Sequence, residues 1–236
     1  MRRAVVSLLL AVGLAGCSSL TETAGGVGVV VVLVPSPAEV EVAQTIQLQA
    51  VALDGNQDTL DVPIVWLALD TTITVDSTAG LLTGRTPGQT GRVIARAADL
   101  YSSEVKFTVL PAVDSLVRVS SDTQTVAASE TLSTDLVVRL DGGDPPVPIS
   151  GRRVVYQVVE PVFASADDRT VEFQGGLLLL TAVTGSTGVP PGVKLQKRSG
   201  KTPPDSAIVE ASAYQPAGGP AVPGSGTRFI IRFAQP

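Results

Sequence analysis

The chain has 236 residues, with 22 acidic against 17 basic side chains, no histidine and a single cysteine. An acidic chain without a basic stripe is a poor ligand for nucleic acid, where phosphate neutralisation dominates affinity. The missing histidine removes the usual general base, the Ser-His-Asp arrangement and histidine zinc sites in one step.

The first elements are addresses rather than fold. Arg2 and Arg3 form a positive start, Ala4 to Leu14 an apolar run, and Ala15 and Gly16 a small-residue zone directly before Cys17. This is the anatomy of a secretory signal peptide over 1–16. The apolar run is too short to cross ~30 Å of hydrocarbon, which takes about 20 residues. Leu14-Ala15-Gly16-Cys17 resembles the lipobox of bacterial lipoproteins. That resemblance implies a mature chain starting at Cys17, with a diacylated thiol and a membrane partner reached through acyl chains. An ordinary signal peptide with an incidental cysteine is the competing reading. No further twin-arginine motif follows the arginine pair, so general secretion is expected. Ser18 and Ser19 stand where some lineages place a retention aspartate, so by analogy the outer membrane is the favoured location. With Cys17 acylated, no thiol remains for a disulfide or a metal, and stability has to come from packed core.

A flexible Gly/Ser/Thr-rich tether is expected over 17–26, and from there the chain alternates with period two. "VGVVVVLVP" is too short for a membrane span and predicts a first strand buried between two sheets. In "TIQLQAVAL", Ile46, Leu48, Ala50 and Ala52 share a face; in "EVKFTV", Val105, Phe107 and Val109 do. "STDLVVRL" and "TRFIIRF" repeat the pattern through Leu136, Val138 and Leu140, then Phe229, Ile231 and Phe233. Such alternation marks half-buried strands. Turn signals at Asp54-Gly55, Asp141-Gly142 and Gly175-Gly176 separate the runs at the spacing of an all-β sandwich.

A boundary is expected near residue 111, where one strand ends at Pro111 and another starts near Asp114. "ALDGNQDTLDVPIVWLA" and "RLDGGDPPVPISGRRVVYQV" echo each other across it, from Leu-Asp-Gly through Val-Pro-Ile to an aromatic-bearing strand. Trp66 and Tyr156 would then be the large residues on equivalent third strands. The fold expected is all-β, with two tandem immunoglobulin-like sandwiches, 27–111 and 112–236, after a cleaved signal peptide.

"VPSPAEVEVAQTIQLQAVALD", "VPIVWLALDTTITVDSTAGLLTG" and "GQTGRVIARAAD" resemble the successive strands of a group 2 bacterial immunoglobulin-like domain. Gly80 suits the tight turn before Leu81 and Leu82 return to the core. "LALDTT" departs from the more serine-rich stretch usual in that family. Residues 112 to 236 resemble such a domain more loosely, through "VTGSTGVPPGVKLQ", "DSAIVEASAY" and "TRFIIRF". The surplus length lies in 160–205 and in a flexible hairpin expected at 215–226. The resemblance implies surface modules for adhesion or protein binding.

Three clusters could carry chemistry. Asp54, Asn56 and Asp58 alternate like the start of a calcium loop, but Thr59 and Val65 replace the glycine and glutamate that an EF-hand needs. A solvated hairpin turn is the favoured reading, with a looser calcium site open. Asp167, Asp168 and Glu172 could be read as paired acids, yet adjacent strand residues point to opposite faces and do not converge. Lys194, Lys197, Arg198 and Lys201 form a basic cluster that could meet an anionic surface polymer or a membrane; a solvated turn is favoured. Gly224-Ser225-Gly226 lacks the spacing of a nucleophile elbow. No catalytic, cofactor or metal residue is assigned, and the expected partners are the membrane and a protein or surface polymer. The function expected is envelope adhesion, spacing or protein interaction, with an accessory glycan- or complex-binding subunit as the alternative.

Overall fold

The computed structural model describes residues 28–235, so the signal segment, Cys17 and the 17–26 tether lie outside the described residues. Every regular element among the described residues is a β-strand, as expected of a valine- and threonine-rich chain alternating with period two. The first eleven are β1 (Val29–Leu33), β2 (Glu39–Glu41), β3 (Thr45–Gln47), β4 (Gln49–Leu53), β5 (Thr59–Leu60), β6 (Ile64–Ala68), β7 (Ile73–Val75), β8 (Leu81–Gly84), β9 (Thr90–Ala97), β10 (Leu100–Tyr101) and β11 (Val105–Leu110).

β3 and β4 are one run interrupted at Leu48, whose N–H bonds the Gly80 carbonyl at 2.9 Å in the register of β3 with β8. Through that run the ladders β1-β4-β5 and β3-β8-β7 form one layer. The facing layer orders β6, β9, β11 and β2, and β2 runs parallel to β11. Lettered as an immunoglobulin domain, these are A-B-E-D on one sheet and C-F-G on the other, the arrangement that defines the sandwich. One buried cluster joins them: Val30, Leu48, Ile73 and Leu82 from the first layer meet Trp66, Val93, Phe107 and Val109 from the second. Trp66 sits on the third strand, and its indole lies over Gly80, where a Cβ would approach Nε1 to 2.6 Å at a φ of 68°. Only glycine fits that turn without strain.

The remaining ten strands are β12 (Ser115–Arg118), β13 (Thr123–Val126), β14 (Val138–Gly142), β15 (Val147–Pro148), β16 (Arg153–Glu160), β17 (Val171–Phe173), β18 (Leu179–Val183), β19 (Leu195–Lys197), β20 (Ser206–Ser212) and β21 (Thr227–Phe233). They repeat the plan. β12-β14-β15 and β17-β19 make one layer, and bridges at Leu132–Gln196 and Leu136–Val193 tie its two parts. β13-β21-β20-β16-β18 makes the other, with β13 parallel to β21 as β2 is to β11. A second cluster fills the space between, including Leu136, Leu140, Phe173 and Leu195 opposite Tyr156, Val209, Phe229 and Ile231. Burial pushes the Tyr156 hydroxyl well above the ordinary tyrosine range, against a smaller pull from the Val138 backbone, and no well-formed hydrogen bond reaches it.

Three expectations change. β1 pairs with β4 alone and is an edge strand, with Leu33 and Val34 largely exposed, rather than a strand buried between sheets. Asp141 and Gly142 are the buried end of β14, and the turn falls on residues 143–146 instead. The 215–226 hairpin is tied down: Tyr214 bridges Ala221, Val222 is buried, and Pro223 accepts a hydrogen bond from Leu116 N–H at 2.8 Å.

Candidate functional site

Residues 111–114 connect the two clusters, and the polar groups gathered there include a buried pair of opposite charges. Glu41, the last residue of β2, and Arg152, just before β16, are 2% and 5% exposed and form an ion pair. Charges this far from water persist only when paired and hydrogen-bonded. The guanidinium is supplied with both: besides Glu41 Oε1 it donates to the Pro111 carbonyl at 3.1 Å and, more loosely, to the Tyr214 carbonyl at 3.5 Å. Its own main chain is fixed, because Arg152 N–H donates to Thr184 Oγ1, which donates onward to the Ile149 carbonyl.

Gln44 completes the joint. Its Oε1 accepts from Glu41 N–H at 2.8 Å, and its Nε2 donates to the Pro216 carbonyl at 3.1 Å. At the surface Arg153 faces Glu39 at 3.5 Å. The connecting segment is held from the other side, where Asp114 N–H bonds the Asp141 carbonyl and Asp114 Oδ2 takes Gly143 N–H at 2.6 Å. The arrangement is a clamp drawn from β2, the connector, the start of β16 and the β20–β21 hairpin. It has the chemistry of a joint: the Arg152 guanidinium and one Glu41 carboxylate oxygen are engaged internally.

Beside the clamp opens a cleft of about 890 Å³, lined by Leu33, Val34, Thr45, Gln47, Asp114 and Gln215 among others. One wall is the free edge of β3. Gln44 O accepts from Gly84 N–H and Leu48 N–H donates to Gly80 O, so the even-numbered residues of this run face β8. By antiparallel alternation the main-chain groups of Thr45 and Gln47 point into the cleft.

The residues singled out from sequence fall elsewhere. Asp54 Oδ1 accepts the N–H groups of Asn56 and Asp58 at 2.8 and 2.9 Å, which makes that stretch a self-capped turn. Those two bonds hold the Asp54 carboxyl below the usual carboxylate range. Among the described residues no group of three metal-ligating side chains is assembled. Asp168 accepts from Ser165 Oγ, and Glu172 accepts from Gln196. The basic cluster is dispersed: Lys194 lies 3.9 Å from Asp135, Lys197 donates to the Ala127 carbonyl at 2.7 Å, and Arg198 bonds the Ala166 carbonyl. Ser225 is bonded to both main-chain groups of Ala213. Cys17 lies outside the described residues.

Glu41 and Arg152 were missed by pattern. The signal was there for Arg152, because it shares the parity of the inward residues Val154, Tyr156 and Val158. A charge in an inward register needs a buried partner.

Neither a family model nor a curated protein matches the chain. Among solved structures it is similar to the Yersinia pseudotuberculosis adhesin InvE, at 15% identity and a TM-score of 0.41, covering 88% of this chain and 59% of that one. Domains 4 and 5 of the S-layer protein SbsC give 15% identity and a TM-score of 0.31, covering 81% of this chain and 82% of that one. Drosophila N-cadherin EC1-4 gives 11% and 0.30, covering 91% of this chain and 52% of that one. The sandwich is defined by the strand pairing within the chain itself.

Proposed function

We propose that this chain is a non-enzymatic, lipid-anchored protein of the cell envelope that carries two immunoglobulin-like modules, 27–111 and 112–236, for adhesion, spacing or protein interaction. Acyl chains on Cys17 hold one end, with each buried CH₂ contributing ~0.8 kcal/mol. The 17–26 segment gives reach, and the modules project together towards a protein or surface-polymer partner. The outer membrane is the favoured site. The observation that carries the reading is the Glu41–Arg152 clamp, through which buried, paired charges join the two sandwiches. A spacer or presenter needs a stiff joint, and a clamp of this kind suits that need better than a loose linker.

The anchor is tested by growing cells with labelled palmitate while signal peptidase II is active or blocked. The expected outcome is label on the wild-type chain, none on Cys17→Ser, and an unprocessed precursor when the peptidase is blocked. Unchanged processing, or label retained by Cys17→Ser, contradicts the anchor.

A second reading, an accessory subunit docked to an envelope complex or a glycan, is favoured by the cleft beside β3. Its open main-chain edge suits an extended peptide added as a strand. Of the two ligands, the peptide fits better, since the cleft lining has no aromatic platform. A stoichiometric complex recovered from envelope fractions supports this reading, and binding to whole cells supports adhesion.

A further inference from the structure

β18 ends its sheet: among the described residues it pairs with β16 on one side and has no strand on the other. The segment reads Leu179-Leu180-Thr181-Ala182-Val183, five residues with no charge, no proline and no glycine. Natural edge strands are normally guarded by lysine, proline, a bulge or a covering loop. None of the first three guards stands on this one. Leu179 and Val183 are 53% and 50% exposed on the outer face, while Leu180 and Ala182 pack against the core.

The direction of its main-chain groups follows from the bonds at both ends. Val158 N–H donates to the Leu178 carbonyl and Thr184 N–H to the Arg152 carbonyl, both in the register that pairs Tyr156 with Leu180. Even-numbered residues therefore face β16, and the N–H and C=O groups of Leu179, Thr181 and Val183 face outward.

That edge is complementary to itself. Laid antiparallel on a second copy about Thr181, Leu179 opposes Val183, Leu180 opposes Ala182, and Thr181 opposes Thr181. Each outward N–H then meets an outward C=O. Aliphatic groups meet aliphatic groups, and the threonine pair is one of the favourable cross-strand combinations. No like charges oppose each other along the seam. A two-fold axis closes the contact at two copies and continues the five-stranded sheet across both.

We propose that the protein self-associates as a two-fold dimer through β18, with Thr181 on the axis. The contact lies on the second sandwich, with its Val183 end next to the clamp residue Thr184, and holds whether or not Cys17 is acylated.

The test uses the full-length chain in its native envelope. Thr181→Cys places the two cysteine Cα atoms ~5.5 Å apart across a hydrogen-bonded antiparallel pair, inside the Cα separation a disulfide spans. A disulfide-linked dimer is expected from Thr181→Cys under mild oxidation, and none from Thr74→Cys, an exposed position on β7 of the first sandwich. Thr181→Pro in detergent-extracted protein is the second arm. The N–H it deletes points away from β16, so the sheet keeps its internal bonds, as proline on an edge strand allows. Dimer affinity is expected to fall by about tenfold or more, through two lost hydrogen bonds and a blocked edge, with an unchanged melting temperature for the monomer. A Thr181→Cys chain that stays monomeric overturns the proposal, whether its thiol is open to maleimide or covered by another part of the same chain. A Thr181→Pro dimer as tight as wild type overturns it equally.

Discussion

Asp54 and Asp76 each turn a carboxylate oxygen back on their own loop. Asp54 takes two N–H groups, and Asp76 takes those of Thr78 and Ala79 at 2.9 and 2.7 Å. Backbone donors favour the ionised form, so both carboxyls lie below their ordinary range. In the unfolded chain both return to about 4. Their contribution to stability is therefore full above about pH 4 and is lost as pH falls through the depressed folded values. The Asp54→Asn, Asp76→Asn chain is expected to lose melting temperature less steeply on acidification between about pH 5 and pH 2 than wild type. Parallel slopes in a melting series would contradict this. The turn at Asp54 was legible because Asp-Gly-Asn is turn chemistry, and its calcium alternative arose because Asx turns and calcium loops use the same side chains. Glu41 and Arg152 were not read, because each finds its partner 111 positions away.

At the scale of elements, alternation located the strands but not their neighbours. The valine run of β1 was correctly an extended segment, yet nothing in its period distinguishes a central strand from an edge with one partner. Asp141-Gly142 reads as a turn on composition. In the structure Gly142 serves a different need: a Cβ there would overlap the Ala112 carbonyl oxygen, so the missing side chain lets the connector cross β14. Close approach of another backbone is the other standing reason for a glycine in a strand. Gly142→Ala is expected to cost about 1–3 kcal/mol in equilibrium unfolding, through displacement of residues 112–114. A melting temperature within about 1 °C of wild type would show that the connector is not held against β14.

Over the whole molecule, two cores drawn from 30–109 and 113–233 are joined by a polar clamp instead of a continuous apolar seam. The repeated strand plan was legible because the same alternation and the same Leu-Asp-Gly to Val-Pro-Ile run occur twice. The clamp at the joint was not, since it depends on side chains brought together only when both sandwiches have formed. Glu41→Gln leaves the Arg152 guanidinium buried without its counter-charge, a loss of about 3–5 kcal/mol when one partner of a buried pair is removed. Opening the joint relieves that cost without unfolding either core. The most direct measurement is a pulsed-dipolar distance distribution between spin labels at Thr74→Cys and Thr125→Cys, exposed strand positions in the two sandwiches, with excess unlabelled chain to suppress intermolecular pairs. A single narrow distribution that broadens in Glu41→Gln is the predicted result. A distribution equally broad in both chains would contradict the stiff two-sandwich body on which the proposed function rests.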